Sequence, residues 1–128
     1  MLRKSSSPFG AYKAARMPSS VDAAPRDFNL EQLICKAIRQ RVILELKYED
    51  DALFRSFEPT PVYRTSQDKV CVSGVQMKNR NDLLDNSGPH NFEVGLIKDV
   101  RLTGISFSPG SRFNRLDPRY RNGVICSI

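Results

Sequence analysis

The chain has no tryptophan, a single histidine and only three cysteines, and each shortage removes a class of chemistry. His90 alone cannot build a multi-histidine metal centre. Cys35, Cys71 and Cys126 are widely spaced, with no CxxC pair and no neighbouring histidine, which argues against a zinc site. They are expected to be reduced thiols of an intracellular protein, with Cys126 the most exposed. No apolar run approaches the roughly 18–20 residues needed to span a bilayer, so no membrane segment is expected. The sequence also lacks a glycine-rich phosphate loop, a Ser-His-Asp set and a cluster of metal ligands. Neither an enzyme nor a cofactor is expected.

What the sequence does have is enough for one core. At 128 residues, 40% hydrophobic and 27% charged, it suits a single globular domain. The net charge of +6 is unevenly placed: residues 1–26 carry five basic side chains against Asp22, and residues 109–128 carry four against Asp117. The stretch between them, with 11 basic and 12 acidic side chains, is nearly neutral. Basic ends can hold phosphates by releasing counterions, although short basic tails are more commonly solubilising.

Residues 1–27, with Ser5, Ser6, Ser7, Pro8, Pro18, Ser19, Ser20 and Pro25, are expected to be a flexible basic arm. Pro8, Gly10 and Pro18 interrupt any amphipathic helix there, and no secretory apolar stretch is present, which favours a cytoplasmic arm over a targeting peptide. Residues 28–108 form the domain. Residues 109–128 read as a basic extended tail, with Val124, Ile125 and Cys126 able to dock on the domain.

Within the domain the hydrophobic period changes once. Leu30, Leu33, Ile34, Ala37 and Ile38 recur at 3.6-residue spacing, predicting a helix over 29–41 capped by Asn29 with Gln32 completing a capping box. Glu31, Lys36, Arg39 and Gln40 are expected to face water. From Val42 the period is two, predicting a strand through Tyr48 with Val42, Leu44, Leu46 and Tyr48 on one face. A second strand is expected over 53–57, ended or confined to an edge by Pro59 and Pro61. A third runs over 69–76, where Gly74 marks a bulge or bend. A polar loop over 77–89, which includes His90's neighbours Gly88 and Pro89, precedes a fourth strand over 92–96 and a fifth over 100–107. One helix and five short, sharply bent strands predict a mainly β fold: a small curved SH3-like or Sm-like five-stranded β-barrel with the helix plugging one end.

The order of these elements resembles the WYL domain. The features that carry the resemblance are the strand ending in Tyr48, Arg55 followed by Glu58 and Pro59, the apolar strand over 69–76, then Phe92 and Ile97 before a last strand. It covers roughly residues 28–108. Members occur mostly in bacterial transcription regulators and phage-defence accessory proteins, where an Sm-like barrel is thought to bind nucleic acid or nucleotide-like ligands. The naming Trp-Tyr-Leu triplet falls on Val70, Cys71 and Val72, which removes both rings. In the family's Arg-x-Phe-Arg-x-x-Arg-Ile segment, His90, Glu93 and Leu96 occupy the basic positions, which leaves Arg55 as the matching arginine.

The candidate site therefore centres on Arg55, whose planar fork suits a phosphate or carboxylate. Tyr48 offers a stacking surface and His90 an imidazole. Lys78 and Arg80 are placed to funnel an anion. Asp50, Asp51, Asp82 and Asp85 read as turn formers. Two functions stay open. One is a non-enzymatic ligand-sensing or nucleic-acid-binding module, taking single-stranded nucleic acid or a nucleotide-like anion. The other is a protein-interaction or oligomerisation module whose pocket has been lost.

Overall fold

The computed structural model describes residues 22–78, 86–109 and 113–128. The helix, α1 (Phe28–Gln40), starts earlier than expected because Asp27, not Asn29, caps it: the Leu30 amide donates to Asp27 Oδ1 at 3.0 Å. The helix stops at Arg41, whose left-handed backbone (φ 55°) turns its amide back onto the Ala37 and Ile38 carbonyls. Ile34, Cys35, Ala37 and Ile38 are buried as the period demands. Glu31, expected in water, is buried instead. Its carboxylate is gripped by Arg26 through Nε at 2.9 Å and Nη2 at 2.5 Å, the pairing that allows a buried charge. The inner end of the expected flexible arm is thus docked. The Ala24 amide also donates to Glu93 at 2.7 Å, and residues 24 and 25 lie close against Gly95. Residues 1–21 of that arm lie outside the described residues.

Six antiparallel strands follow: β1 (Val42–Tyr48), β2 (Arg55–Arg64), β3 (Val70–Gln76), β4 (Gly88–Glu93), β5 (Ile97–Ser106) and β6 (Val124–Ser127). The sheet order is β4-β3-β2-β1-β5, with β6 paired to β2. Among the described residues the fold is mainly β with one α-helix, but the sheet is not closed into a barrel. It is strongly curled, because β4 and β5 sit at opposite ends of the path yet are joined only by the 3-10 turn Val94–Leu96. Four Cα steps reach at most about 14 Å. Five flat strands would separate the ends by about 19 Å.

Three expectations about the strands need correction. β2 is not ended by its prolines; it runs through both. Its first half pairs with β1 (Leu46 with Arg55, Leu44 with Phe57) and its second half with β6 (Pro61 with Ser127, Val62 with Cys126). Pro59 falls at this changeover, where the register against β3 is also irregular, so the missing amide interrupts little of the ladder. Gly74 lies opposite Pro59, and a Cβ there would collide with the Glu58 carbonyl and the Phe57 ring. This close approach accounts for the glycine. The expected fourth strand over 92–96 lies instead at 88–93, and its second half winds into the 3-10 turn.

The third correction concerns the end of the chain. The expected extended tail supplies a 3-10 turn, Pro118–Tyr120, and strand β6. Cys126 is bonded to Cys35, tying β6 to α1 across 91 positions of sequence. The reduced-thiol expectation is therefore wrong for these two cysteines. Cys71 remains a buried free thiol, pushed up to about 11 by burial.

The core lies between α1 and the concave face, where Leu44, Leu46, Phe57, Val62, Val72, Phe92 and Val94 pack with Ile34 and Ile38. A smaller cluster of Tyr63, Cys71 and Tyr120, flanked by Phe113 and Val124, holds the C-terminal segment onto the other face. The strict alternation of Val70, Val72 and Cys71 between these clusters is the two-residue period of a strand covered on both sides.

Candidate functional site

Phe92 is the point on which the expected site residues meet. It is buried, and its ring lies 5.0 Å from Tyr48, 5.1 Å from Phe57 and 5.7 Å from His90, the last nearly parallel at 3°. The Arg55 guanidinium carbon lies 5.4 Å from the centre of the same ring. The curl of the sheet brings these together: Tyr48 ends β1, Arg55 starts β2, and His90 and Phe92 share one face of β4. Tyr48, Arg55 and His90 thus form one constellation. Lys78 is exposed just past the end of β3, and Arg80 lies outside the described residues.

Arg55 does not present a bare fork. Its Nε and Nη2 donate to the two oxygens of Asp51 at 2.6 and 2.9 Å, and Nη1 donates to Gln76 at 3.3 Å. Asp51 also accepts the Tyr48 amide at 3.0 Å. The Arg55 hydrogen bonds hold its carboxyl below the usual aspartate value, with the Tyr48 amide helping and partial burial opposing. Reading Asp51 as a turn former missed its larger role. The available signal was the spacing of four across a tight turn, which lets the carboxylate reach back to the strand that follows. Buried Gln76 was also missed, because nothing in an apolar run marks one amide as a partner.

The other two side chains are held as firmly. The Tyr48 hydroxyl accepts the Glu93 amide at 3.2 Å, and burial raises its pKa despite this bond. His90 lies on a strand rather than in a loop, and its Nε2 sits 2.7 Å from the Asn86 carbonyl, which fixes the proton on that nitrogen.

Beside the constellation a cleft of about 270 Å³ opens between the 49–54 turn and the end of β3. Asp51, Arg55 and Gln76 supply its polar part, while Leu53, Phe54 and Met77 supply its apolar part. Leu53 is 63% exposed and Met77 38%. Such an arrangement can recognise a planar anion bearing an apolar group. Among the described residues, no group of three or more His, Cys, Asp or Glu side chains could hold a metal ion. No described helix is long and apolar enough to cross a membrane. No family model, curated protein or solved structure matches this chain.

Proposed function

We propose that this chain is a non-enzymatic ligand-sensing module, a divergent relative of WYL domains with an opened Sm-like sheet, that takes a small nucleotide-like anion at Arg55. The observation that supports this reading most is the bidentate Asp51–Arg55 pair in the floor of the cleft. Asp51 occupies the guanidinium as a ligand carboxylate or phosphate would. An incoming anion would exchange with it while its apolar part lies against Leu53, Phe54 and Met77. A cleft of this size lies at the small end of ligand sites, which favours a monomeric ligand over a polymer here.

The test is calorimetric titration of adenosine and uridine monophosphates into the full chain, Arg55→Ala and Asp51→Asn. Arg55→Ala should abolish saturable binding. Asp51→Asn should tighten it about tenfold, the equivalent of about 1.4 kcal/mol, by removing the internal competitor. Absence of binding to both the wild type and Asp51→Asn would overturn the reading.

One observation favours the alternative of a protein-interaction module. Strand β5 ends the sheet path, spans ten residues and leaves Ile105 59% exposed. A long edge strand can accept a strand from a partner or another copy. A Thr103→Pro or Ile105→Lys change that dissociates an oligomer seen by light scattering would support this second role. The Cys35–Cys126 bond favours an oxidising compartment, or a redox-responsive cytoplasmic setting, over a constitutively reduced one.

A further inference from the structure

Strand β6 stands apart from the rest of the sheet. The path β4-β3-β2-β1-β5 is continuous without it, and among the described strands β6 pairs with β2 alone, over Pro61, Val62 and Tyr63. Two backbone bonds flank this pairing: the Arg64 amide donates to the Gly123 carbonyl at 2.9 Å, and the Ile128 amide to the Thr60 carbonyl at 3.2 Å. A four-residue strand on one neighbour is marginal by itself, because so short a pairing gains little against the entropy of ordering it. Its covalent tie is the bond from Cys126 to Cys35 on α1. The helix does not need that tie, since it also packs on β1, β2 and β5.

The two bonded sulfurs are unequally placed. Cys35 is 1% exposed within the main core, whereas Cys126 lies at the margin of that core, partly open to solvent. A thiolate from solvent reaches the outer sulfur, which makes the buried one the leaving group. The third cysteine lies under the same C-terminal segment, on the other face of β2 and β3. Cys71 is 9% exposed, stands opposite Tyr63 across the strands, and is packed with Tyr120, against which Phe113 and Val124 close the cluster. The segment tied down by the bond is thus the cover of the free thiol. Burial pushes that thiol up to about 11, so uncovering it raises both its access and its thiolate fraction.

We propose that Cys126 is a thiol-exchange site for a dithiol reductant, and that opening the bond there frees the C-terminal segment from the sheet and uncovers Cys71. The first thiolate of the reductant attacks Cys126 Sγ; the bond between the sulfurs breaks, and Cys35 departs with the electron pair and takes up a proton. The second thiolate then displaces Cys126 from the mixed disulfide. The protein gains two electrons and two protons, and the dithiol leaves as a disulfide. None of the buried members of the main core lies beyond Ile97, so the domain keeps its fold when the segment leaves. The device takes up the redox-responsive reading of this bond and is independent of the ligand at Arg55, so failure of either leaves the other standing.

The test is alkylation of the full chain by iodoacetamide at mildly alkaline pH, before and after dithiothreitol has reduced the bond and been removed. Peptide mass spectrometry reads each cysteine, and far-ultraviolet circular dichroism follows the fold. Reduction should speed modification of Cys71 at least about tenfold while the β signal is kept, the mark of a local opening. Cys126→Ser should show the same fast modification without reductant, and Tyr120→Ala should speed it with the bond intact. Glutathione, which has one thiol and stops at the mixed disulfide, should be found on Cys126. The proposal would be overturned by Cys71 modified no faster after reduction, by glutathione on Cys35, or by a bond that dithiothreitol opens only in denaturant. Loss of the β signal on reduction would also overturn it, making the bond a tie of the whole domain.

Discussion

Arg55 and Arg119 carry the same guanidinium on opposite faces of one sheet, yet the fold uses them differently. Arg55 is held by both oxygens of Asp51 and by Gln76, with Phe92 alongside, and it sits in the floor of a cleft. Arg119 has Asp117 on one side, is 54% exposed, and lines two clefts, of about 240 and 200 Å³, whose described linings hold no carboxylate. A charge bound by the protein's own carboxylate responds only to a ligand strong enough to exchange with it. A charge left in solvent attracts any polyanion, with an affinity that falls as salt rises.

The comparison breaks most visibly at Phe92, which belongs to the main core and carries the Arg55 constellation on its ring. Phe92→Ala should cost about 3–5 kcal/mol in denaturant unfolding, because it empties the space between Tyr48, Phe57 and His90. The C-terminal segment is tied to α1, on the side of the main core, by the Cys35–Cys126 bond. Removal of that bond by Cys126→Ser, read in the same way, should cost about 2–5 kcal/mol. It should also loosen Tyr120 and the clefts beside it while leaving the Asp51–Arg55 pair intact.

The Asp51 carboxyl sharpens the contrast through pH. Its folded pKa lies below the ordinary 3.8, so its contribution is fully present above that value and is lost as pH falls below it through the depressed folded pKa. Acid unfolding curves of the wild type and Asp51→Asn should therefore converge at the acid end and separate above pH 3.8 by about 1–2 kcal/mol, as expected for a charge-assisted pair. The smallest effect concerns Cys71. Its buried thiol, with a pKa of about 11, should resist alkylation at mildly alkaline pH while the protein is folded and the Cys35–Cys126 bond intact, which mass spectrometry would detect.

The helix and the first strand were legible because Leu30, Ile34, Ile38, Leu44 and Leu46 mark the two periods directly. Strand β2 was not, since prolines normally end pairing, and only a change of partner at Pro59 lets the strand continue. Strand β6 was hidden because four residues near a chain end carry no period, and the bond that fixes them joins positions too far apart for spacing to reveal. At the site, Tyr48, Arg55 and His90 could be named as candidates, but not the ring that gathers them. Phe92 acts through contacts made by the curl of the sheet, and the pairing of Arg55 with Asp51 depends on a turn geometry that acidic residues in any loop could share.

The most direct measurement is nuclear magnetic resonance of arginine side-chain Nε–H groups and aspartate carboxyl carbons during titration with adenosine monophosphate. The account predicts that the Arg55 Nε–H, now bonded to Asp51, shifts in step with the Asp51 carboxyl carbon as the internal pair gives way to the ligand. Movement confined to Arg119 and Arg121, with Arg55 and Asp51 unchanged at saturation, would contradict it.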